Sequence, residues 1–229
     1  MLTESFLVPL EADRLSALFR ILQDISGHAV VSWHATGPEL KEKGLMWVVI
    51  RYELTLDRAL HPGETLVMTT WASPVRHKMS QRNYLLADAE GRPLGRAAGM
   101  WALVDRETRA MVDCAERGVA FQTELNGREP PRPAAPEKLP AEGERIFTVS
   151  EEWLDENGHM NNTRYFDVAQ TCITSQTKTP VLKNVRAAFL TEALAGDELA
   201  VSWGRRENLW SFSGTKNGVP CFQISIEYA

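Results

Sequence analysis

A chain of 229 residues is long enough for one large domain or two small ones, and its 44% hydrophobic and 24% charged residues are an ordinary globular composition. Such a chain can bury a sizeable core without disulfides or a structural metal. Acidic residues outnumber basic ones by 30 to 25, giving a net charge of -5, which argues against a nucleic-acid partner bound through its phosphates.

The cysteines and apolar runs narrow the class of protein further. Cys114, Cys172 and Cys221 are odd in number and lack C-x-x-C spacing, which disfavours a disulfide framework or a zinc ribbon. No apolar run reaches the ~18 residues of a membrane-spanning helix, and the first residues do not form a secretion signal. Metal-ligand spacing is absent among His28, His34, His61 and His77, and the sequence has no glycine-rich nucleotide-binding loop. We therefore expect a cytoplasmic protein with no membrane contact, no metal and no cofactor.

The first half of the chain has the pattern of a helix followed by strands. Apolar residues in 15–25 recur at helical spacing, and Gly27 predicts where this helix ends. In 46–56 apolar residues occupy every second position, which predicts a strand. Another strand is expected after Gly63, and a turn at Gly91 is expected to lead into a final apolar strand.

A proline-rich segment, residues 124–144, separates the two halves. It holds five prolines and almost no large apolar residues: Pro130, Pro131, Pro133, Pro136 and Pro140. Because proline interrupts helices and central strands, the segment is predicted to be an extended linker.

The second half repeats the order of patterns in the first. A shorter helical pattern starts at Tyr165, a strand pattern covers 185–189, and a turn at Gly218 precedes a final strand. Gly196 and the strand after it match Gly63 and its strand at a distance of 133 positions. Four matches in the same order predict a duplicated unit of one helix and several antiparallel strands; coincidence among common strand patterns is the alternative.

A polar cluster after the linker is the candidate site. Asp155, Asn157 and His159 are spaced by two, so in an extended segment their side chains would share one side. Asn161 or Asn162 is predicted to cap the following helix, whose first N–H groups would be donors for a developing oxyanion. A base, an orienting amide and such donors are what hydrolysis of a carbonyl compound requires. The alternative interpretation is a set of capping and turn residues around a solvated histidine.

The same cluster resembles the signature of the acyl-ACP thioesterases, the plant and bacterial enzymes that end fatty-acid synthesis. The resemblance rests on Asp155-x-Asn157-x-His159-x-Asn161-Asn162-x-x-Tyr165. It extends into the first half through Gly63-Glu64, Thr70-Trp71, Arg82-x-Tyr84, Trp101, Asp105 and Thr108-Arg109. The likeness covers most of the chain, and the segment after Asp155 is its specific part.

The resemblance implies an α+β fold, a double (tandem) hotdog in which each unit wraps an antiparallel sheet around a central helix. The predicted parts are an acyl-chain-binding unit (1–123), the linker (124–144) and a unit with the catalytic residues (145–229). The two sheets would pair into one layer with the helices on its concave face. The acyl chain would lie in an apolar tunnel formed mainly by the N-terminal half.

The family's catalytic residues carry over to Asp155, Asn157, His159 and Glu192. The plant motif has a Glu-Cys pair at the last position, and here Ala193 replaces the cysteine. A thiolate nucleophile is ruled out at that position, which leaves a carboxylate–histidine mechanism. The sequence leaves open which carboxylate acts directly and whether an acyl-enzyme forms. A solvated residue at a strand end is the alternative for Glu192.

The implied function is an acyl-ACP thioesterase, which hydrolyses the thioester of a fatty acyl-acyl carrier protein and terminates fatty acid biosynthesis. A hotdog acyl-CoA thioesterase is one alternative. A non-catalytic hotdog sensor of acyl ligands is another, although the chain has no spare length or basic stretch for the DNA-binding module that such regulators carry. The acyl chain length and the oligomeric state, including a homodimer, stay open.

The expected partner is the acyl carrier protein, which is strongly acidic. An acidic thioesterase needs a local basic surface to attract it. Arg76-His77-Lys78 with Arg82 is the densest basic cluster, and Arg205-Arg206 occupies the corresponding place in the second half. Solvated loop charges are the alternative interpretation of both.

Overall fold

The computed structural model describes residues 3–11, 14–119, 123–125, 127–173 and 181–229. Within these ranges the chain forms one ten-stranded sheet in which neighbouring strands are antiparallel. The strands are β1 (Glu4–Pro9), β2 (Leu45–Leu56), β3 (Thr65–Ala72), β4 (Met79–Ala87), β5 (Pro93–Asp105), β6 (Gly143–Thr148), β7 (Leu182–Phe189), β8 (Glu198–Arg206), β9 (Leu209–Lys216) and β10 (Val219–Tyr228). The α-helices are α1 (Leu15–Ala29), α2 (Gly37–Glu42) and α3 (Arg164–Thr171), and short 3₁₀ turns cover Val31–Trp33 and Glu151–Trp153.

Each half of the chain contributes five neighbouring strands in the same order. The sheet runs β1-β3-β4-β5-β2 and continues β7-β10-β9-β8-β6. From the opposite edge the second half reads β6-β8-β9-β10-β7, which is the order of the first half. The halves join where β2 pairs with β7, with Glu53 opposite Arg186. The repeated order agrees with the predicted duplication, whereas the domain boundaries stay a prediction.

Helices α1 and α3 pack on one face of this sheet and on each other. The predicted apolar side of the first helix is buried, and the Phe19 ring stacks on Phe166 of α3 with 4.0 Å between ring centroids. Tyr52 and Leu54 of β2 lie in the same core, whereas Glu53 between them faces the other side of the sheet. The α+β class and a strand over 46–56 are therefore confirmed. The period of two is interrupted by a bulge between Val49 and Arg51, so Met46 packs in a different cluster from Tyr52 and Leu54.

Two predicted boundaries of helices are wrong. Helix α1 continues past Gly27 to Ala29, because Ser26 donates a hydrogen bond to the Leu22 carbonyl and pairs with the Tyr84 hydroxyl, which holds the last turn. Neither Asn161 nor Asn162 is the N-cap of α3, since that position is Thr163. The Asn161 side chain instead accepts hydrogen bonds from the N–H and hydroxyl of Thr163, in a turn that precedes the helix.

The described part of the linker is extended, as predicted, and it packs against the face of the sheet opposite the helices. Gln81 Nε2 donates to the Pro130 carbonyl at 2.8 Å, and the Ala134 N–H donates to Glu53 Oε2 at 2.9 Å. Further along, the Leu139 N–H donates to Ser211 Oγ at 3.2 Å. The linker thus connects the outer faces of both halves by hydrogen bonds.

Candidate active site

The polar cluster forms a closed turn. The Asp155 N–H donates to the His159 carbonyl at 2.7 Å, and Asp155 Oδ1 accepts the N–H groups of Asn157 and His159 at 2.8 and 3.3 Å. Gly158 has φ +78°, a conformation that glycine adopts without strain. The expectation of an extended segment with three side chains on one side is therefore wrong, because hydrogen bonds to the Asp155 carboxylate close the backbone into a turn.

A backbone hydrogen bond brings this turn to the segment that carries Glu192. The Met160 N–H donates to the carbonyl of Ala193 at 2.8 Å. As a result His159 Nε2 lies 3.2 Å from Glu192 Oε2, with the His159 side chain 17% exposed. The structure thus joins two of the residues proposed from the sequence, although they are more than thirty positions apart.

Arg109, which follows β5 in the first half, completes this pair. Its Nη2 lies 2.9 Å from Glu192 Oε1 and 3.4 Å from His159 Nε2. Arginine only donates hydrogen bonds. The arrangement that satisfies both carboxylate oxygens has Arg109 donating to Oε1 and His159 Nε2 donating to Oε2. In that tautomer His159 Nδ1 is the ring atom able to take a proton.

Arg106, in the turn over residues 105–109 that also carries Arg109, orients the side-chain amide of Asn157. Arg106 Nη1 donates to Asn157 Oδ1 at 2.7 Å. With its oxygen held in this way, the Asn157 side chain keeps its Nδ2 hydrogens available as donors. Asp105 shapes the turn by accepting the Thr108 N–H and hydroxyl, and these bonds lower the pKa of Asp105.

A cavity of about 820 Å³ opens beside the turn. Asp155 and Asn157 belong to its lining, whereas His159 and Glu192 pair with each other outside that lining. The other lining residues come mainly from the first half, including α1, the 3₁₀ turn at Val31–Trp33 and strands β2 to β5.

The cavity is not the apolar tunnel that the resemblance implies, because about half of its lining residues are polar or charged. Arg82 belongs to its lining and is only 5% exposed. It therefore cannot join a surface cluster with Arg76, His77 and Lys78, which are exposed. That part of the predicted carrier-docking cluster is wrong, because Arg82 points to the helix-covered face of β4 where Tyr84 is also buried.

The three cysteines lie apart from this site as free thiols. Burial raises the pKa of Cys114 to about 11 and also raises the pKa values of Cys172 and Cys221, so these thiols are protonated at neutral pH. The described ranges contain no cluster of three or more His, Cys, Asp or Glu side chains that could hold a metal ion.

The sequence of the first half matches a family model. Residues 11–120 match the model of the acyl-ACP thioesterase N-terminal domain. A chloroplastic palmitoyl-acyl carrier protein thioesterase of Arabidopsis thaliana is 27% identical over 144 residues, which cover 56% of this chain and 33% of that protein. The enzyme of the same name from Gossypium hirsutum is 27% identical over 164 residues, covering 67% of this chain and 38% of that protein. The chain is similar in sequence to acyl-ACP thioesterases. The match spans little more than a third of these plant proteins.

Solved structures of acyl-ACP thioesterases share the whole fold. The enzyme from Bacteroides thetaiotaomicron has a TM-score of 0.79 at 21% identity, covering 100% of this chain and 98% of the other. The 12:0-ACP thioesterase of Umbellularia californica has a TM-score of 0.82 at 17% identity with the same coverage. At such identities the comparison establishes the fold, a large antiparallel sheet with a few helices of the hotdog type.

The sequence alone did not indicate a role for Arg106 or Arg109, the two arginines of the turn over residues 105–109. Arg106 contacts Asn157 across 51 positions and Arg109 contacts His159 across 50, so no local pattern joins them. The Thr108-Arg109 pair was part of the family resemblance, which indicated the position of Arg109 but not its contact with His159.

None of the described helices is long and apolar enough to cross a membrane.

Proposed function

We propose that this chain hydrolyses the thioester of a fatty acyl chain on acyl carrier protein, releasing free fatty acid and the carrier, the step that terminates fatty acid biosynthesis. The single observation that supports this most strongly is the His159–Glu192 pair, 3.2 Å apart, next to a turn whose Asp155 and Asn157 line a large cavity. A polarised histidine beside an acyl-sized cavity is what thioester hydrolysis needs.

In the proposed mechanism His159 is the general base. Glu192 holds the imidazole through Nε2, and Nδ1 takes a proton from water as the oxygen attacks the thioester carbonyl. The Asn157 Nδ2 group, oriented by Arg106, donates to the developing oxyanion. The C–S bond then breaks, and the proton held by His159 goes to the leaving thiolate. Water and thioester thus give acid and thiol, with atoms and protons balanced.

The contacts separate the tasks of the two carboxylates. Asp155 Oδ1 is engaged by two backbone N–H groups, so we assign Asp155 to holding the turn. Glu192 contacts both His159 and Arg109, so we assign Glu192 to orienting the base and balancing its charge.

The remaining features of the proposal concern the partner and the setting. The exposed Arg76, His77 and Lys78 are the proposed docking surface for the carrier. The domain division at the linker and a cytoplasmic location belong to the same proposal, and the three free thiols support a reducing compartment. A homodimer stays an open question for solution measurement.

Release of free fatty acid from acyl-ACP by the purified chain tests this function. We expect Glu192→Gln to lower turnover by about 10²-fold or more, because a neutral amide no longer balances the imidazolium. Asp155→Asn keeps the Oδ1 acceptor and is expected to lose less than about tenfold. Glu144→Gln, at an exposed position on β6, is the matched control and should leave turnover unchanged. Full activity of Glu192→Gln, or loss confined to Asp155→Asn, would overturn the assignment.

A further inference from the structure

Arg82 is a buried cation without a carboxylate partner. The residue is 5% exposed, its guanidinium contacts Thr70 Oγ1 at 3.4 Å, and it lies 5.1 Å from the centroid of the Trp33 ring. In the described part of the chain no carboxylate lies within ion-pair distance of Arg82, and Glu4 of β1 acts on it only from further away. Burial lowers the pKa of Arg82, which reflects the cost of keeping this charge away from water.

One long hydrogen bond and one aromatic face leave most of the five donors of a guanidinium unused. Burying a charge in this way is unfavourable unless an opposite charge and further hydrogen bonds compensate. The face of an aromatic ring attracts a cation, but it carries no negative charge that would neutralise the cation. The protein therefore keeps a desolvated cation that its own described side chains do not neutralise.

The indole of Trp101 is not a further donor for a ligand. Trp101 belongs to the lining of the cavity with Arg82, but its Nε1 is buried, interacts with Tyr84 and is not accessible from the cavity. The Tyr52 hydroxyl is buried in the same region, near Tyr84. Gly99 makes room for both rings, because a Cβ there would lie 2.9 Å from Trp101 Nε1 and 2.6 Å from Tyr52 Cε1.

Arg82 belongs to the buried part of the cavity lining. Trp33, Ser80 and Ala72 are buried members of the same lining, whereas its acidic members are half-buried (Asp155) or exposed (Asp24 and Glu156). A hydrocarbon end placed against Arg82 would displace any remaining water and give the guanidinium nothing in return. A carboxylate would accept charge-assisted hydrogen bonds from the unused donors of Arg82.

We propose that Arg82, in the lining of this cavity, forms a subsite for a carboxylate on the acyl ligand. The carboxylate has two sources: the far end of an acyl chain derived from a dicarboxylic acid, or the head of the free fatty acid product. The acyl nature of the ligand rests on the proposed function, but the anion subsite itself is read from the unused donors.

Equilibrium binding tests the subsite without requiring turnover. The ligands are non-hydrolysable pantetheine thioethers of equal chain length that end in a carboxylate, its methyl ester or a methyl group, together with the free monocarboxylic acid. We expect wild type to bind the carboxylate-ended thioether about tenfold or more tightly than both neutral thioethers, since charge-assisted hydrogen bonds are the strong ones. Arg82→Met should abolish this preference, and Arg82→Lys should retain part of it.

A matched control and the free acid complete the design. Arg20→Met removes an exposed arginine from the lining of the same cavity and should keep the preference. If the free acid instead shows the Arg82-dependent binding, the subsite takes the carboxylate of the product. Equal binding of charged and neutral thioethers by wild type, together with free-acid binding that Arg82→Met leaves unchanged, overturns the proposal. If Arg82→Met fails to fold, Arg82→Lys takes its place, and a partial loss of binding is expected for the carboxylate ligand that the subsite holds. Binding without hydrolysis would contradict the proposed function alone.

Discussion

At the residue scale, the contact between His159 Nε2 and Glu192 Oε2 determines which ring nitrogen is free to take a proton. A carboxylate on Nε2 fixes the tautomer, so the chemistry is expected at Nδ1. The same geometry explains why Ala193 can stand in place of a cysteine. Its carbonyl anchors Met160, and that backbone bond, which any side chain permits, sets His159 beside Glu192.

Replacing the base should remove most of the catalysis. We expect His159→Ala to lower turnover on acyl-ACP by about 10²-fold or more, the usual contribution of a positioned acid–base group. Because the residue lies in a turn with its side chain outside the core, thermal unfolding should change little. Near-normal turnover in a folded His159→Ala variant would remove this residue from the mechanism.

Arg109 is expected to act as a positioning residue. Arg109→Met removes the donor to Glu192 Oε1 and should lower kcat by about tenfold with little change in KM, because the ground-state contacts of the acyl chain lie elsewhere. Arg109→Lys should restore part of the lost turnover through its remaining charge.

Arg92→Met provides the control for Arg109, since Arg92 is an exposed arginine that also pairs with carboxylates, on the Gly91 turn. It should leave both kinetic constants unchanged. A rise in KM alone for Arg109→Met would show that Arg109 serves binding and does not position the pair.

At the element scale, the linker acts through Glu53 on β2. This carboxylate accepts hydrogen bonds from the Ala134 N–H of the linker, and from Asn184 and Arg186 of β7. Burial alone would raise the pKa of Glu53, but these bonds outweigh burial and leave the pKa below its ordinary value. One side chain therefore connects the linker to the junction between the two halves.

The lowered pKa makes this connection dependent on pH. A carboxyl group with a depressed folded-state pKa stabilises the fold above its ordinary pKa of about 4.3, and the stabilisation disappears as the pH falls through the folded value. We expect Glu53→Gln to cost about 1 kcal/mol of unfolding free energy near pH 7 and progressively less toward about pH 3. Urea denaturation across this range measures the difference, and exposed Glu142→Gln should show no such trend. A constant difference at all pH values would contradict the linkage.

Local patterns were enough to predict several of the elements but not their ends. The second part of β2 and the buried stripe of α1 follow directly from spacing, whereas the bulge between Val49 and Arg51 does not. Gly91 and Gly218 occupy turns with φ of +80° and +76°. The end of α1 depends on the contact of Ser26 with Tyr84, 58 positions away, which no local pattern contains. The start of α3 depends on an Asn161 side chain that could equally cap the helix or form a turn before it.

At the scale of the whole molecule, the site assembles from both halves. The sequence and the family resemblance supplied Asp155, Asn157, His159 and Glu192. Their arrangement could not be predicted, because Arg106 and Arg109 reach them only after the ten-stranded sheet has formed. Arg82 shows the same limit: beside Arg76-His77-Lys78 it resembles a surface charge, and only the inward alternation of β4 buries it.

Charge reversal tests the docking surface that remains after Arg82 is removed from it. Arg76→Glu with Lys78→Glu should raise KM for acyl-ACP and weaken its dependence on salt, with turnover at saturation little changed. Arg96→Glu with Lys138→Glu applies the same charge change at exposed positions elsewhere and should leave KM unaltered.

A short acyl thioester without the carrier controls for folding in the docking experiment, since its hydrolysis should proceed as before in both double variants. Equal losses on both substrates would indicate a folding defect. An unchanged KM for acyl-ACP in the first double variant would contradict docking at this surface.

The most direct test of the central claim compares two carriers of the same acyl chain. The purified chain is given acyl-ACP and acyl-CoA of equal length, and free fatty acid is measured over time. The account predicts a kcat/KM at least about tenfold higher for acyl-ACP, because the carrier adds an acidic surface that can be attracted to exposed basic residues. Equal or faster release from acyl-CoA would contradict an acyl-ACP thioesterase, and binding of both without release would indicate a non-catalytic acyl sensor.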